Sequence, residues 1–262
     1  RSGANAIKLI SVDAHENYAP GSESHELFSR SELSPEETTQ IFSLARNLGL
    51  EPFATTTANT LPWVERLKPP AYKISSSMFS HTPLIKSLAK TGRTLLVSTG
   101  MNNVDEIAEG IEVLMSAGTS AFGIFQCTSL YPTPPKFLNL RVISWLEEVY
   151  KVPAGFSDHS IGIEAAILSV GAGARMIEKH FTLDSNRPSF DHAISLEPKD
   201  FRLMVNGVRL AETIMGDGHK QVYPEQQDLA GQMQRYLVAS RDLTAGSITT
   251  TADIAVMRLP KG

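Results

Sequence analysis

The 262-residue chain has one cysteine, Cys127, so no disulfide can form within it, and it has no Asn-x-Ser/Thr acceptor for an N-glycan. It also lacks charge imbalance. Twenty-four Lys and Arg against 28 Asp and Glu give −4, with no basic cluster, which excludes the electrostatic footprint of a nucleic-acid or anionic-membrane binder. Long apolar runs are missing: the longest, Ala165–Ala174, is about half of what a membrane-spanning helix needs. No signal-peptide pattern opens the chain, and the cytoplasm is the expected compartment. No Gly-x-Gly-x-x-Gly follows the first strand pattern and no Gly-x-x-x-x-Gly-Lys occurs, so dinucleotide and P-loop sites are not signalled. What is present is the composition of a globular chain, 42% hydrophobic and 20% charged, with Gly 18 and Pro 15 near average usage.

Short apolar runs alternate with helical patterns, the signature of repeated βα units around a parallel sheet. Seven strands are expected, at Ala6–Ile10, Pro52–Thr56, Tyr72–Ser76, Thr94–Ser98, Ala121–Cys127, Pro153–Ser157 and Arg175–His180. Helices are expected at Ser34–Leu48, Asn59–Leu67, Pro83–Thr91, Asn103–Ala117, Asn139–Tyr150, Gly162–Ala172 and Pro198–Met215. In Ser34-Pro35-Glu36-Glu37 a capping hydroxyl, a proline at the first turn and two acidic residues mark one helix start. The spacing fits an α/β fold of the (β/α)₈ TIM-barrel type, with a doubly wound open sheet as the alternative. Seven strands do not close that barrel, and the chain opens on Arg1 rather than Met, so one further strand is expected upstream. Residues 1–222 form this barrel domain, 223–234 read as a linker, and 235–262 read as short strands around Ala245-Gly246, the start of a small second domain.

In such a barrel the site is built from the C-terminal strand ends. Those ends are rich in polar groups: Lys8, Thr55-Thr56, Lys73 with Ser75-Ser76-Ser77, Ser98-Thr99-Gly100, Cys127-Thr128-Ser129, Ser157-Asp158-His159 and Glu178-Lys179-His180. Hydroxyls at successive strand ends can donate to an oxyanion and two lysines can neutralise it, so a phosphorylated or polycarboxylate ligand is the natural guest. The bland alternative is that the hydroxyls cap helices. His159 and His180 end consecutive strands, about 5 Å apart at the backbone. That is chelating reach for Mn²⁺, Fe²⁺, Co²⁺ or Zn²⁺, able to polarise a carbonyl. Asp158 and Glu178 can fix the imidazole tautomers; alternatively Asp158 caps the next turn and Glu178 pairs with a lysine. Asp191-His192 follows a Pro/Ser loop at the rim, where loops contact substrate, against the alternative of an exposed turn. Cys127 reads as a small apolar residue.

Six motifs carry a resemblance: Ala71-Tyr72-Lys73-Ile74, Ser98-Thr99-Gly100-Met101, Cys127-Thr128-Ser129-Leu130-Tyr131-Pro132-Thr133-Pro134, Ser157-Asp158-His159, Glu178-Lys179-His180-Phe181-Thr182-Leu183-Asp184 and Asp191-His192-Ala193-Ile194-Ser195-Leu196. In order and spacing, from about Ala6 to Pro260, the chain resembles the sialic acid synthase family. The resemblance implies a TIM-barrel enzyme that condenses phosphoenolpyruvate with an N-acetylmannosamine-type sugar. An antifreeze-like (SAF) domain follows in that family and reaches the partner's site in a domain-swapped homodimer. It implies Lys8, Thr55, Lys73, Ser76, Ser98, Ser129 and Ser157 as the phosphoenolpyruvate cradle. It further implies His159 and His180 as ligands of a divalent metal, Mn²⁺ by family habit with Mg²⁺ or Co²⁺ as substitutes. Glu178 joins the catalytic group, Tyr131 and Asp191 hold the sugar, and Arg258 is the arginine contributed across the dimer. The chain departs from the pattern at three places: an acidic residue on the upstream strand, Met78 (after Ser77) where Glu or Asp is usual, and Ile10 where Gln is usual. Met78 leads to the expectation of an acceptor with fewer hydroxyls than N-acetylmannosamine, a deoxy or diacetamido sugar. The alternative function is a catalytically silent relative that binds phosphosugars.

Overall fold

The computed structural model describes residues 2–119, 121–188 and 190–259, leaving aside the side chains of Phe190 and Asp228. Two compact units divide the chain, residues 1–215 and 216–262. In the first, seven parallel strands lie in sequence order: β1 (Ala6–Ser11), β2 (Glu51–Thr56), β3 (Ala71–Ile74), β4 (Thr94–Ser98), β5 (Phe122–Cys127), β6 (Ala154–Asp158) and β7 (Met176–Lys179). Between β1 and β2 run α1 (Ala14–Asn17), α2 (Glu23–Ser31) and α3 (Pro35–Asn47). The next crossovers are α4 (Leu61–Arg66), α5 (Thr82–Ala89), α6 (Val104–Ser116), α7 (Val142–Tyr150) and α8 (Glu164–Gly171), and α9 (Phe190–Ile194) and α10 (Pro198–Met215) follow β7.

Strand alternation sorts the side chains into two faces. In register across the sheet, Leu9, Ala54, Tyr72 and Leu95 line one face, followed by Ile74, Val97, Ile124 and Ala154, all buried in the main apolar cluster. Helix residues such as Phe42, Ile85, Leu88, Leu114, Ile143 and Leu146 complete that cluster. The opposite face carries Lys8, Thr55, Lys73, Ser98, Ser157 and Glu178. A flat seven-stranded sheet would hold its edges nearly 30 Å apart at about 4.8 Å per strand. Here Lys8 on β1 donates to Glu178 on β7 at 3.0 Å, so the sheet curls and its polar face is concave.

All seven expected strands are present, with ends shifted by at most two residues. The largest change is at β3, which stops at Ile74 because Ser76–Met78 turns into a 3₁₀ helix. The expected cap at Ser34 is a complete capping box: its Oγ accepts from Glu37 N–H at 3.1 Å, and Glu37 accepts from Ser34 N–H at 2.9 Å. Residues 14–31 carried no expected element; α1 and α2 form there from the caps Asp13 and Ser22, although α2 buries no residue. Met78 is only 5% exposed and belongs to the main apolar cluster. The expectation that its thioether faces a sugar is therefore corrected: the side chain is core.

In the second unit, the stretch read as a linker contains the helix α11 (Pro224–Met233), with proline at its start and Tyr223 N–H bonded to Gln226 at 3.2 Å. The short strands β8 (Tyr236–Ala239) and β9 (Ile254–Met257) pair antiparallel, and Arg241 holds the buried Asp253 at 2.6 Å.

Two glycines on the concave wall give a stability test. A Cβ on Gly155 would stand 2.6 Å from the Met176 carbonyl oxygen, which belongs to the neighbouring strand and cannot yield, whereas one on Gly123 would meet the flexible Met176 methyl, also at 2.6 Å. Gly155→Ala is expected to lower stability by about 1–3 kcal/mol, the cost of overpacking. Gly123→Ala should cost clearly less, as read from denaturant midpoints; equal costs would contradict this packing.

Candidate active site at the strand ends

Glu178 is the centre of the concave face. Its Oε1 accepts from Lys8 Nζ at 3.0 Å, from Lys73 Nζ at 3.3 Å and from Ser157 Oγ at 3.1 Å. Oε2 has no protein donor among the described residues. Lys73 also donates to Ser98 Oγ at 2.6 Å and lies 5.3 Å above the Phe125 ring. Burial favours the neutral form of Glu178, but the ammonium groups of Lys73 and Lys8 outweigh it and hold the carboxyl far below the usual carboxylate range. Burial likewise pushes Lys73 down, and Glu178 opposes it. The formal charges of the three groups sum to +1, and Lys73 is only 2% exposed. That surplus selects an anion.

Beside it the remaining hydroxyls converge on Gly100. A Cβ there would strike Ser129 Oγ and stand 2.8 Å from Ser76 Oγ and 3.1 Å from Cys127 Sγ, so the glycine leaves room for the side-chain tips that follow β3 and β5 and end β5 to gather at the end of β4. Thr55 is buried at 4% as the register partner of Lys73. Ile10 is its neighbour on β1 and is 40% exposed.

The two histidines also come together, with ring centroids 5.4 Å apart. Burial, then the charges of Lys8 and His159, hold His180 at about 3, so it is neutral at physiological pH. Burial acts the same way on His159, but the Cys127 thiol, the Thr128 carbonyl and Glu178 carry it upward. His159 Nδ1 lies 3.0 Å from the Thr128 carbonyl, which accepts its proton and leaves Nε2 as the unprotonated nitrogen of the neutral ring. Two imidazoles, each with an unprotonated nitrogen in its neutral form, are a fitting donor set for a borderline divalent cation completed by water or substrate oxygens. Among the described residues no group of three or more His, Cys, Asp or Glu gathers as a fuller cage.

The tautomer-fixing partner of His159 is thus a backbone carbonyl rather than Asp158. Asp158 accepts from Ser160 N–H at 2.8 Å and from Lys179 Nζ at 3.0 Å. Tyr131 lies tilted against His159 at 34° with ring centroids 4.4 Å apart, and the Tyr131 loop is tied to β6 by Thr133 N–H to the His159 carbonyl at 3.0 Å. Asp191 is partly buried, which raises its carboxyl, against the pull of His159 and Lys8. It therefore lies in the field of the same site. Arg258 belongs to the second unit and is exposed there.

Three neighbours of the site had no role assigned from the sequence: Cys127 and Lys179, present at the strand ends, and Tyr18, which was not singled out. Cys127 sits 3.8 Å from His159 Nδ1 and 3.6 Å from Ser76 Oγ. Tyr18, stacked on Phe28 at 4.6 Å, is raised by burial and by the charge of Asp191. Lys179 is buried against Asp158; the visible signal was its alternation with Glu178 in the Glu-Lys-His run.

A curled parallel sheet that gathers two lysines, a carboxylate, a hydroxyl shelf and an imidazole pair at its C-terminal strand ends defines an α/β enzyme of the barrel class built for an anionic substrate. Residues 3–220 match the NeuB family, and the chain belongs to it. It is 37% identical over 265 residues to a Methanocaldococcus jannaschii protein described only as uncharacterized, covering all of this chain and 78% of that one. It is 35% identical over 193 residues to the N,N'-diacetyllegionaminic acid synthase of Campylobacter jejuni, covering 73% of this chain and 58% of that one. The fold superposes on the crystal structure of the N-acetylneuraminic acid synthetase of Leptospira borgpetersenii in complex with citrate. The TM-score is 0.82 at 28% identity, over 87% of this chain and 80% of that one.

Replacing Glu178 by Gln leaves two lysines facing each other without their counter-charge, a loss of about 3–5 kcal/mol when a buried pair is broken. Phosphate or sulfate should restore melting temperature in this variant more than in the parent, because the anion supplies the missing charge. Equal responses would show that the lysines do not face a common anion site. Since Glu178 is held below its ordinary value, its stabilisation is present above the ordinary carboxylate range and is lost only well into acid.

Proposed function

We propose that this chain condenses phosphoenolpyruvate with an N-acetylated aldose to give a sialic-acid-like 2-keto-3-deoxy sugar acid and phosphate. Membership of the NeuB family, whose relatives bear the names of sugar-acid synthases, supports this reading. The single observation that carries it is the Lys8–Glu178–Lys73 group, one net positive charge at the base of a shelf of hydroxyls. Lys8 and Lys73 neutralise the phosphate and carboxylate of the enol substrate, and Thr55, Ser76, Ser98, Ser129 and Ser157 donate to its oxygens. C3 of phosphoenolpyruvate attacks the aldehyde carbon of the open-chain sugar, whose oxygen takes a proton. Water adds to the oxocarbenium-like C2, and the C2–O bond breaks to release phosphate. Glu178, held ionised between Lys8 and Lys73, keeps the two ammonium groups in place against the anion.

His159 and His180 are the residues that would hold the divalent metal, Mn²⁺ by preference, which when bound supplies Lewis-acid polarisation of the aldehyde. Tyr131 and Asp191 orient the sugar beside them. The open edge between β1 and β7 is read as the place of one more strand of a (β/α)₈ barrel. Residues 235–262 are read as the opening of an antifreeze-like domain that brings Arg258 to a partner's sugar site in a homodimer. The reaction is assigned to the cytoplasm.

The buried Met78, at a position where the family pattern has an acid, favours one second reading, a silent phosphosugar-binding relative. A phosphate-release assay with phosphoenolpyruvate, Mn²⁺ and a panel of N-acetylated hexoses decides between them. Release with at least one sugar, abolished by chelation and by His180→Ala, is the expected result. Tight phosphoenolpyruvate binding without release on any sugar would establish the silent relative. In calorimetry, Lys73→Ala should weaken phosphoenolpyruvate binding by about 1.5–3 kcal/mol, the value of a hydrogen bond to a charged group. An unchanged affinity would show the cradle to lie elsewhere.

A further inference from the structure

The buried ion pair between Asp158 and Lys179 has no part in the chemistry described so far. The two residues are register partners at the ends of β6 and β7, 3.0 Å apart, with both side chains fully enclosed. Both partners make further hydrogen bonds to Ser160. Lys179 Nζ donates to the Ser160 carbonyl as well, and Asp158 Oδ1 accepts from Ser160 N–H at 2.8 Å and from Ser160 Oγ at 2.6 Å.

Alternation makes the location significant. The residues just before the pair, Ser157 and Glu178, are themselves register partners and meet on the concave face at 3.1 Å. The residues just after it are His159 and His180. The pair therefore lies on the far side of the sheet, one residue below the imidazoles on both strands, and bolts β6 to β7 where the strands end. Beyond that point no ladder pair holds the two chains in step. An enclosed ion pair is a poor source of stability, since desolvating two charges costs about as much as their attraction returns, and an apolar pair of the same volume often holds a fold equally well. What the ion pair supplies that an apolar pair would not is a fixed direction and height.

We propose that Asp158 and Lys179 are positioning residues that set the relative height and facing of His159 and His180, and so the ability of those two rings to share one divalent cation. The proposal rests on the reading of the two histidines as metal ligands.

The test uses Co²⁺ as the probe, added to metal-free protein without either substrate, with the dissociation constant and the visible absorption band as readouts. His159→Ala comes first and should abolish the band, which assigns it to the imidazole pair. The double variant Asp158→Leu with Lys179→Met replaces the ion pair by apolar groups of similar volume. It is expected to melt at or above the parent temperature, to bind phosphoenolpyruvate within about twofold of the parent, and to bind Co²⁺ at least tenfold more weakly with an altered band; the tenfold corresponds to about 1.4 kcal/mol. A merely structural role would lower the melting temperature and leave the band as it was. The near-isosteric Asp158→Asn serves if the double variant does not fold, and should weaken Co²⁺ binding severalfold. A band lost in His159→Ala but kept, with parent affinity, in the double variant or in Asp158→Asn overturns the positioning role alone. A band that survives His159→Ala overturns the metal reading and this proposal with it.

Discussion

One carboxylate oxygen, Glu178 Oε1, ties the first strand of the sheet to the last and both to the third. Lys8 reaches it from β1 and Lys73 from β3, while Ser157 reaches it from the strand beside its own. Two ammonium groups on a concave wall would repel each other, and a carboxylate between them offsets that repulsion and part of the cost of their lost water. The curl of the sheet, the enclosure of Lys73 and the net positive charge of the site follow from that placement. An anion bound as proposed would meet lysines already aligned, so part of the ordering cost of binding is met in the folded state.

The sheet works as a partition. Its convex face is packed with Val, Ile, Leu and Tyr under the helices, and its concave face keeps polar groups in the same strands, one residue out of phase. The imidazoles illustrate how fine the division is. His159 and His180 share a location, yet burial and Lys8 hold His180 neutral whereas Cys127, Thr128 and Glu178 draw His159 the other way. Two neighbouring rings with different proton affinities make a site whose members differ in character although their residue type is the same.

Much of this was legible in the chain. Parallel strands covered on both faces read as short apolar runs, which is why Thr94–Ser98 matches β4 residue for residue, and strand ends collect polar groups, which is why Lys8, Lys73, Ser98, Ser157 and the histidines stood out. Family membership agrees with the motifs that suggested it. What escaped depends on neighbours in space. α2 buries nothing, so it leaves no apolar period to read. Met78 appeared as a polar position turned apolar, and only the turn at Ser76–Met78 shows that it goes into the core. The partnership of Asp158 with Lys179 needs the register of two strands, which no single sequence segment contains.

The contact from Lys8 to Glu178 spans 170 positions of the chain. A nascent chain leaves the ribosome in order, so Lys8 and Lys73 emerge and pack with their helices long before the carboxylate that reconciles them has been made. Until then the two cations share a pocket without a counter-charge, and the concave face has no reason to close. Contacts of this range are slow to form because a large loop must be closed before they reward it. The same oxygen that organises the finished site therefore sets a late step in its assembly, and a chain interrupted before β7 would lack the element that makes the earlier strands worth curling.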